Sequence, residues 1–271
     1  MRRLPAHLPW FLESCLSHRE LIVRLAGREI SQRFRGSILG LGWALLLPLM
    51  TAAVYTFVFS AIFQSRWGGS QDHAHFALML LIGMGVHSVF AEAVNRGPML
   101  VVGNPSYVTK VIFPIEVLPV VAVLSALTNA AIMLGIVILG QLLLKGVLHW
   151  TVIFVPLIAL PYLVFVTATV MLCAAIGVFM RDLSQIVGLV VTVTFFLTPI
   201  FYPLEAVPER FRLVMRLNPL TSIIEQTRTV VIHGGMPDFV SLGLYFLCAV
   251  ASLAIAVWVF QRLRPGYADV L

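Results

Sequence analysis

Charge is what this sequence lacks most. Its 271 residues include 18 Lys and Arg and 12 Asp and Glu, together 11%, where an ordinary soluble domain carries about 25%. A soluble fold of this size cannot cover its surface with so few charges, because exposed area falls behind volume only slowly as a chain grows. A soluble enzyme, a disordered tail and a nucleic-acid-binding module are excluded, the last despite a net charge of +6. Cysteine is scarce too. Cys15, Cys173 and Cys248 stand far apart with no CxxC pair, so neither a disulfide framework nor a zinc site is expected, and each reads as a small apolar packing residue.

Other absences concern chemistry. There is no GxxxxGK[ST] phosphate loop, so the chain cannot hold ATP by that device. There is no GxSxG, no HExxH and no carboxylate pair at catalytic spacing. No catalytic residue, bound cofactor or metal is expected. Ion-coupled pumps bury Asp or Glu in mid-membrane, whereas Glu92 and Glu116 stand only at the ends of apolar runs. His87 is alone within one such run, where hydrogen-bonded packing is its ordinary reading. The protein therefore moves something passively or borrows energy from a partner.

What fills the chain is apolar: 60% of residues are hydrophobic and mean hydropathy is +0.98. Six stretches longer than 15 residues contain no Asp, Glu, Lys or Arg: 36–65, 73–91, 117–144, 146–180, 183–204 and 239–261. About 20 residues at 1.5 Å each cross a hydrocarbon core of roughly 30 Å. Each stretch suits one helix, none suits two with a turn, and no period-2 alternation supports strands. The pattern predicts an all-α integral membrane protein with six spans over 36–261, preceded by a region 1–35 and followed by a tail 262–271.

An even count puts both termini on one side. With the termini inside, inner segments carry 12 of the Lys and Arg and outer segments 6, which predicts cytoplasmic termini. Trp43 and Trp258 then fall near the inner interface, and Trp67 and Trp150 near the outer one. Met1-Arg2-Arg3 is basic, but no apolar core with a cleavage site follows, so no cleaved targeting segment is expected.

Three segments outside the spans have character. Over 9–35 a helical pattern sets Ile22, Leu25, Ala26, Ile30 and Phe34 on one face and Arg24, Arg28, Ser31 and Arg35 on another. Glu20→Arg24 and Glu29→Arg33 add i,i+4 pairs. This fits a helix on the anionic inner leaflet, in touch with lipid or a cytoplasmic partner, and fits equally an ordinary basic flank. Between Gly97-Pro98 and Pro114 there is room for one or two helical turns around 106–112, either a docking element or loop filler. The segment 203–238 is broken by Pro203, Pro208, Pro219 and Pro237, too apolar for a free loop and too charged for a span. It reads as short helices dipping into the outer leaflet or a re-entrant pair.

In order along the chain, Arg33-Phe34-Arg35-Gly36-Ser37-Ile38-Leu39-Gly40-Leu41-Gly42-Trp43-Ala44, then Phe113-Pro114-Ile115-Glu116-Val117-Leu118-Pro119, Arg181-Asp182, Thr198-Pro199-Ile200-Phe201-Tyr202-Pro203, Asn218-Pro219-Leu220, Arg228 and Arg264-Pro265-Gly266-Tyr267 form a set. This set resembles the ABC-2-type permeases that export O-antigen, capsular polysaccharide or teichoic acid, and it covers nearly the whole chain. The resemblance implies a transport subunit of the bacterial inner membrane with no ATP site of its own. It would pair with a second copy and with two copies of a nucleotide-binding ATPase that holds the ATP and Mg.

The same resemblance implies roles for segments. The helix of 9–35 becomes an interface helix against the ATPase. The segment 97–114, with Ser106, Tyr107, Val108, Lys110 and Phe113, becomes the coupling element, and 203–238 becomes re-entrant helices. A polyprenyl-diphosphate-linked polysaccharide would thread through the dimer's channel. Sugars stack on aromatic rings, so Tyr55, Phe59 and Phe63 at i, i+4, i+8, and the cluster Phe195, Phe196, Phe201 and Tyr202, are the expected lining. The alternative is that these rings simply face lipid or neighbouring helices. Arg24, Arg28, Arg33 and Arg35 have the charge and side to meet a diphosphate headgroup. A drug or small-lipid exporter of the same architecture, or a passive channel, are the rival functions.

Overall fold

The computed structural model describes residues 7–34, 39–40, 42–62, 73–109 and 113–270. Among them regular structure is entirely helical. Phe63, Lys110 and Arg35 lie outside the described residues, as does the side chain of Val108.

The basic N-terminal region forms two helices, α1 (His7–Ser17) and α2 (Arg19–Phe34), rather than one. The break falls at His18, whose Nδ1 sits 2.8 Å from the Ser14 carbonyl that also takes the His18 backbone N–H. α3 (Gly42–Thr56) carries Pro48 and runs into a π-helical turn, Phe57–Ile62. α4 (His73–Arg96) stops at Gly97-Pro98, and α5 (Met99–Val102) and α6 (Pro105–Thr109) are single turns. A 3-10 turn, Ile115–Val117, opens α7 (Leu118–Lys145), which ends at Gly146 with φ of 65°, the left-handed stop that glycine makes without strain.

A second 3-10 turn, Trp150–Phe154, leads into α8 (Val155–Gly177), followed by α9 (Leu183–Leu197). Pro199 ends α9 early. It drives Thr198 into extended backbone at φ −104° and ψ 139°, as a residue before proline prefers. α10 (Glu209–Leu217) and α11 (Pro219–Val231) follow, α11 capped by Asn218, which accepts from the Leu220 N–H at 3.0 Å. α12 (Phe239–Leu263) is capped by Asp238, and α13 (Tyr267–Val270) closes the chain.

Among the described residues, five helical stretches are long and apolar enough to cross a bilayer: Gly42–Phe59, His73–Arg96, Ile115–Lys145, Trp150–Gly177 and Phe239–Gly266. The protein is a multi-pass membrane protein. The remaining charge-free stretch, 183–204, is helical over only the 15 residues of α9, about 22 Å at 1.5 Å per residue. A count of charge-free residues overstated this helix, because Pro199 interrupts it.

α4 is the hub. It packs along α7 and also meets α3, α8, α9 and α11, while α8 and α12 form a second close pair. α1 lies against α12 and the Ile115–Val117 turn, α2 against α7, and α13 against α6. Both described termini thus gather at one end of the bundle with the 97–117 segment. α10, α11 and the Trp150–Phe154 turn occupy the opposite end. α3 buries only Pro48 and Ala52 against its own chain.

Candidate functional site

The end that gathers the termini is built around close backbone contact. A Cβ on Gly177 would lie 2.3 Å from the Pro98 carbonyl oxygen and 2.6 Å from its Cα, and one on Gly97 would lie 2.7 Å from Cys173 Cβ. The turn after α4 therefore touches α8 backbone to backbone, a contact only glycine permits. Gly177→Ala is expected to cost roughly 1–3 kcal/mol, because backbone cannot step aside as a flexible side chain can. Thermal unfolding of the detergent-solubilised chain checks this, and an unchanged midpoint would contradict it.

Beyond that turn, Asn104 Nδ2 donates to the Leu100 carbonyl at 3.0 Å, and the Tyr107 ring stacks on Phe113 at 4.2 Å and 13°. Ser106 is exposed. Glu116, in the Phe113-Pro114-Ile115-Glu116 run, is 3% exposed and accepts from Ser14 Oγ at 2.8 Å and Arg264 Nη1 at 3.3 Å. One carboxylate thereby ties the 97–117 segment to α1 and to the C-terminal turn. Glu116 also adds to burial in pushing the Cys15 thiol up to about 11.

α2 is fastened to α4 by two reciprocal ion pairs. Arg33 binds Glu92, with Nη1 donating to Oε2 at 3.0 Å, and Arg96 binds Glu29 at 2.7 Å. Each helix offers one acid and one base four residues apart, so the two helices read each other in antiparallel register. Asn129 Nδ2 donates to Glu92 at 2.8 Å and Arg33 Nη2 to Ser125 Oγ at 2.9 Å, which brings α7 into the same network. Burial, then the charge of Arg96, pulls Arg33 below its ordinary pKa while Glu29 pulls it up. The Glu29→Arg33 pair expected within α2 is replaced by these two pairs between helices. Glu20–Arg24 is formed at 3.8 Å between fully solvated side chains. Of the four arginines read as headgroup ligands, Arg33 is engaged with Glu92. Arg24 is exposed, and Arg28 lines a polar cleft of about 290 Å3 with Glu29, Gln32, Arg96, Asn104 and Tyr107.

At the opposite end the centre is Arg228, 1% exposed on α11. Its Nη1 donates to the Pro199 carbonyl at 2.7 Å and to Glu225 at 2.9 Å, its Nη2 to Met79 at 3.0 Å and Ile200 at 3.2 Å. One guanidinium thus satisfies the carbonyls exposed where Pro199 breaks α9, and ties that break to α4. Gly83 leaves the room: a Cβ there would lie 3.0 Å from Arg228 Nη2. Sequence reasoning counted Arg228 among the outer-segment charges and in the family-like set, but gave it no structural partner. The signal was present, since Leu220, Ile223, Ile224, Thr227 and Val231 set an apolar stripe at helical spacing that includes position 228.

The two aromatic groups meet. Phe201 stacks on Phe59 at 4.5 Å and meets Tyr55 edge-on at 5.2 Å and Phe195 at 5.1 Å. Phe201 is buried, so it is the centre of a packed knot between α3 and α9 rather than an open wall. Phe196 is exposed, and Tyr202 donates its hydroxyl to the Phe196 carbonyl at 2.7 Å.

The family profile described as ABC-2 type transporter matches residues 20–232. The chain belongs to the ABC-2 type transporter family. It is 29% identical over 254 residues to the O-antigen export system permease protein RfbA of Myxococcus xanthus, covering 93% of this chain and 95% of that one. It is 25% identical over 256 residues to the protein of the same name from Klebsiella pneumoniae, with the same shares covered. The polysialic acid transport protein KpsM of Escherichia coli is 22% identical over 244 residues, covering 86% of this chain and 90% of that one.

Proposed function

We propose that this chain is the permease subunit of an ATP-driven exporter that moves a polyprenyl-diphosphate-linked polysaccharide, of O-antigen or capsule type, from the cytoplasm across the inner membrane. The observation that carries the reading is similarity over 93% of the chain to an O-antigen export permease. Both described termini share one end of the bundle, which supports an even number of crossings, with α9 and the stretch after it as the sixth. The excess of Lys and Arg at that end supports placing it in the cytoplasm. α10 and α11 then form the re-entrant pair on the outer side, stabilised there because Arg228 satisfies the irregular backbone from within.

The working unit is a homodimer with two copies of a separate ATPase that binds ATP and Mg. The apolar faces of α3 and of α9, at Leu189, Val193 and Phe196, support pairing with a second copy. Tyr55, Phe59, Phe195 and Phe201, packed on one another, are the aromatic residues that would line the channel. α2 and the 97–114 segment receive the ATPase, and exposed Arg24 and Arg28 face the headgroups of membrane lipids or of the cargo.

Purifying the tagged chain from its native membrane tests this reading. A stoichiometric Walker-type subunit with ATPase activity is expected. A chain that comes alone, without hydrolysis, would overturn it in favour of a passive channel. Phe113→Asp unstacks Phe113 from Tyr107. ATP hydrolysis is expected to persist in that variant while export falls about ten-fold or more, the effect of roughly 1.4 kcal/mol lost in coupling. Normal export by an inserted Phe113→Asp chain would remove the coupling role.

A further inference from the structure

α13 is a single turn, and Tyr267 is its one side chain in the core among those described. The ring is fully enclosed. It meets Phe260 edge-on at 5.5 Å and 79°, and Phe179 at 5.9 Å and 48°. Its hydroxyl donates to the Phe260 carbonyl at 3.4 Å, a long bond, and that carbonyl already accepts from the Arg264 N–H. Ala268 and Val270 are exposed. The seat of α13 is therefore an aromatic ring in an aromatic socket. α13 in turn lies against α6. α6 has five residues, far fewer than the roughly 12–15 that an isolated helix needs to persist in water. Its place has to come from its neighbours: α5, the Phe113 ring stacked on Tyr107, and α13.

We infer that Tyr267 is a positioning residue for export: seated between Phe260 and Phe179, it braces α13 against α6 and so holds the coupling turn in place for the ATPase. The inference rests on the export reading above and deepens it by naming what fixes α6. A tyrosine buries roughly 150–250 Å2, and here that burial anchors a turn whose other described side chains are exposed. It sets the place of a surface element, not the packing inside the bundle. The socket also stands on load-carrying helices. Phe179 follows two residues after Gly177, whose backbone touches Pro98 at the start of the same segment. Phe260 belongs to α12, which pairs closely with α8. A displacement of α6 by the ATPase is thus passed through α13 to the α8–α12 pair.

Deleting the chain comes first. Intact surface polysaccharide after deletion overturns the export reading and the brace with it, whereas the variants that follow bear on the brace alone. Export is then read in the complemented deletion strain, and ATP hydrolysis in the purified complex. Tyr267→Ala is expected to export about ten-fold less per unit of chain in the membrane, while hydrolysis stays within about two-fold of wild type. A loss of stability alone lowers both together, because fewer folded complexes then hydrolyse and export. Parallel loss, or full export, overturns the brace. Tyr267→Phe is expected to stay within about two-fold in both, since the ring is kept and the Phe260 carbonyl retains its bond from Arg264. A fall in Tyr267→Phe as deep as in Tyr267→Ala overturns the role of the ring.

A second variant leaves Tyr267 in place and decides the matter where Tyr267→Ala does not accumulate. Phe179 is 47% exposed, so Phe179→Ala removes one wall of the socket at little cost to the fold. Export is expected to fall about five-fold with hydrolysis unchanged, a coupling loss at the low end of the usual range. Full export by Phe179→Ala, or a parallel fall in hydrolysis, overturns the brace.

Discussion

Arg228→Met is expected to destabilise the protein by about 3–5 kcal/mol, the usual loss when one partner of a buried charge network is removed. The opposite outcome has a physical basis, since replacing a buried cation with an apolar side chain of similar length can be neutral. The acceptors decide which effect wins. The Met79 carbonyl belongs to α4 and keeps its helical bond, and Glu225 is 43% exposed at its side chain and can return to solvent. The Pro199 and Ile200 carbonyls stand in the non-helical stretch after α9, where no ladder supplies a donor. Each buried carbonyl left unpaired costs about 1–3 kcal/mol, so the loss dominates.

Arg228→Lys is expected to recover less than half of that, because an ammonium cannot span carbonyls on two segments as a planar guanidinium does. Thermal unfolding of the purified complex, with membrane abundance beside it, reads both variants. A wild-type midpoint for Arg228→Met would mean that the break after α9 is held by packing alone.

Much of this architecture was legible in the sequence. Charge-free stretches located five full spans because a bilayer penalises every charge, and glycine and proline marked their ends. The sixth was misjudged in length, since counting charges ignores what Pro199 does to Thr198. Sequence spacing also gave Glu29 and Arg33 as partners within one helix. Spacing identifies which groups can meet on one element, but α2, packed along α7, brings Glu29 and Arg33 within reach of Arg96 and Glu92, and these partially buried partners outcompete a solvated pair. The stripe of Tyr55 and Phe59 was visible at i, i+4, whereas its packing on Phe201 depends on how the chain turns after α9.

The ion pairs between α2 and α4 lead to the second large effect. Arg33→Glu would set a new carboxylate against Glu92, in a site where both side chains are about a quarter exposed. It is expected to cost roughly 2–4 kcal/mol, more than a surface pair and less than a fully buried one, and to abolish export. Glu92→Arg is expected to do the same by facing Arg33 with a second cation. Combining Arg33→Glu with Glu92→Arg should restore most of the loss, because the neighbours accept either polarity. Asn129 now donates its amide to Glu92, and turned over it presents a carbonyl to an arginine. Ser125 now accepts from Arg33, and its hydroxyl donates equally well to a carboxylate. The coupling energy in this double-mutant cycle measures the pair itself. α4 leads through the Gly97-Pro98 turn into α5 and α6, so displacement of α2, latched to α4, is expected to reach that segment. A double variant that folds as well as wild type but exports no better than the singles would separate the latch from coupling. Restored folding together with restored export would assign both to the Arg33–Glu92 pair.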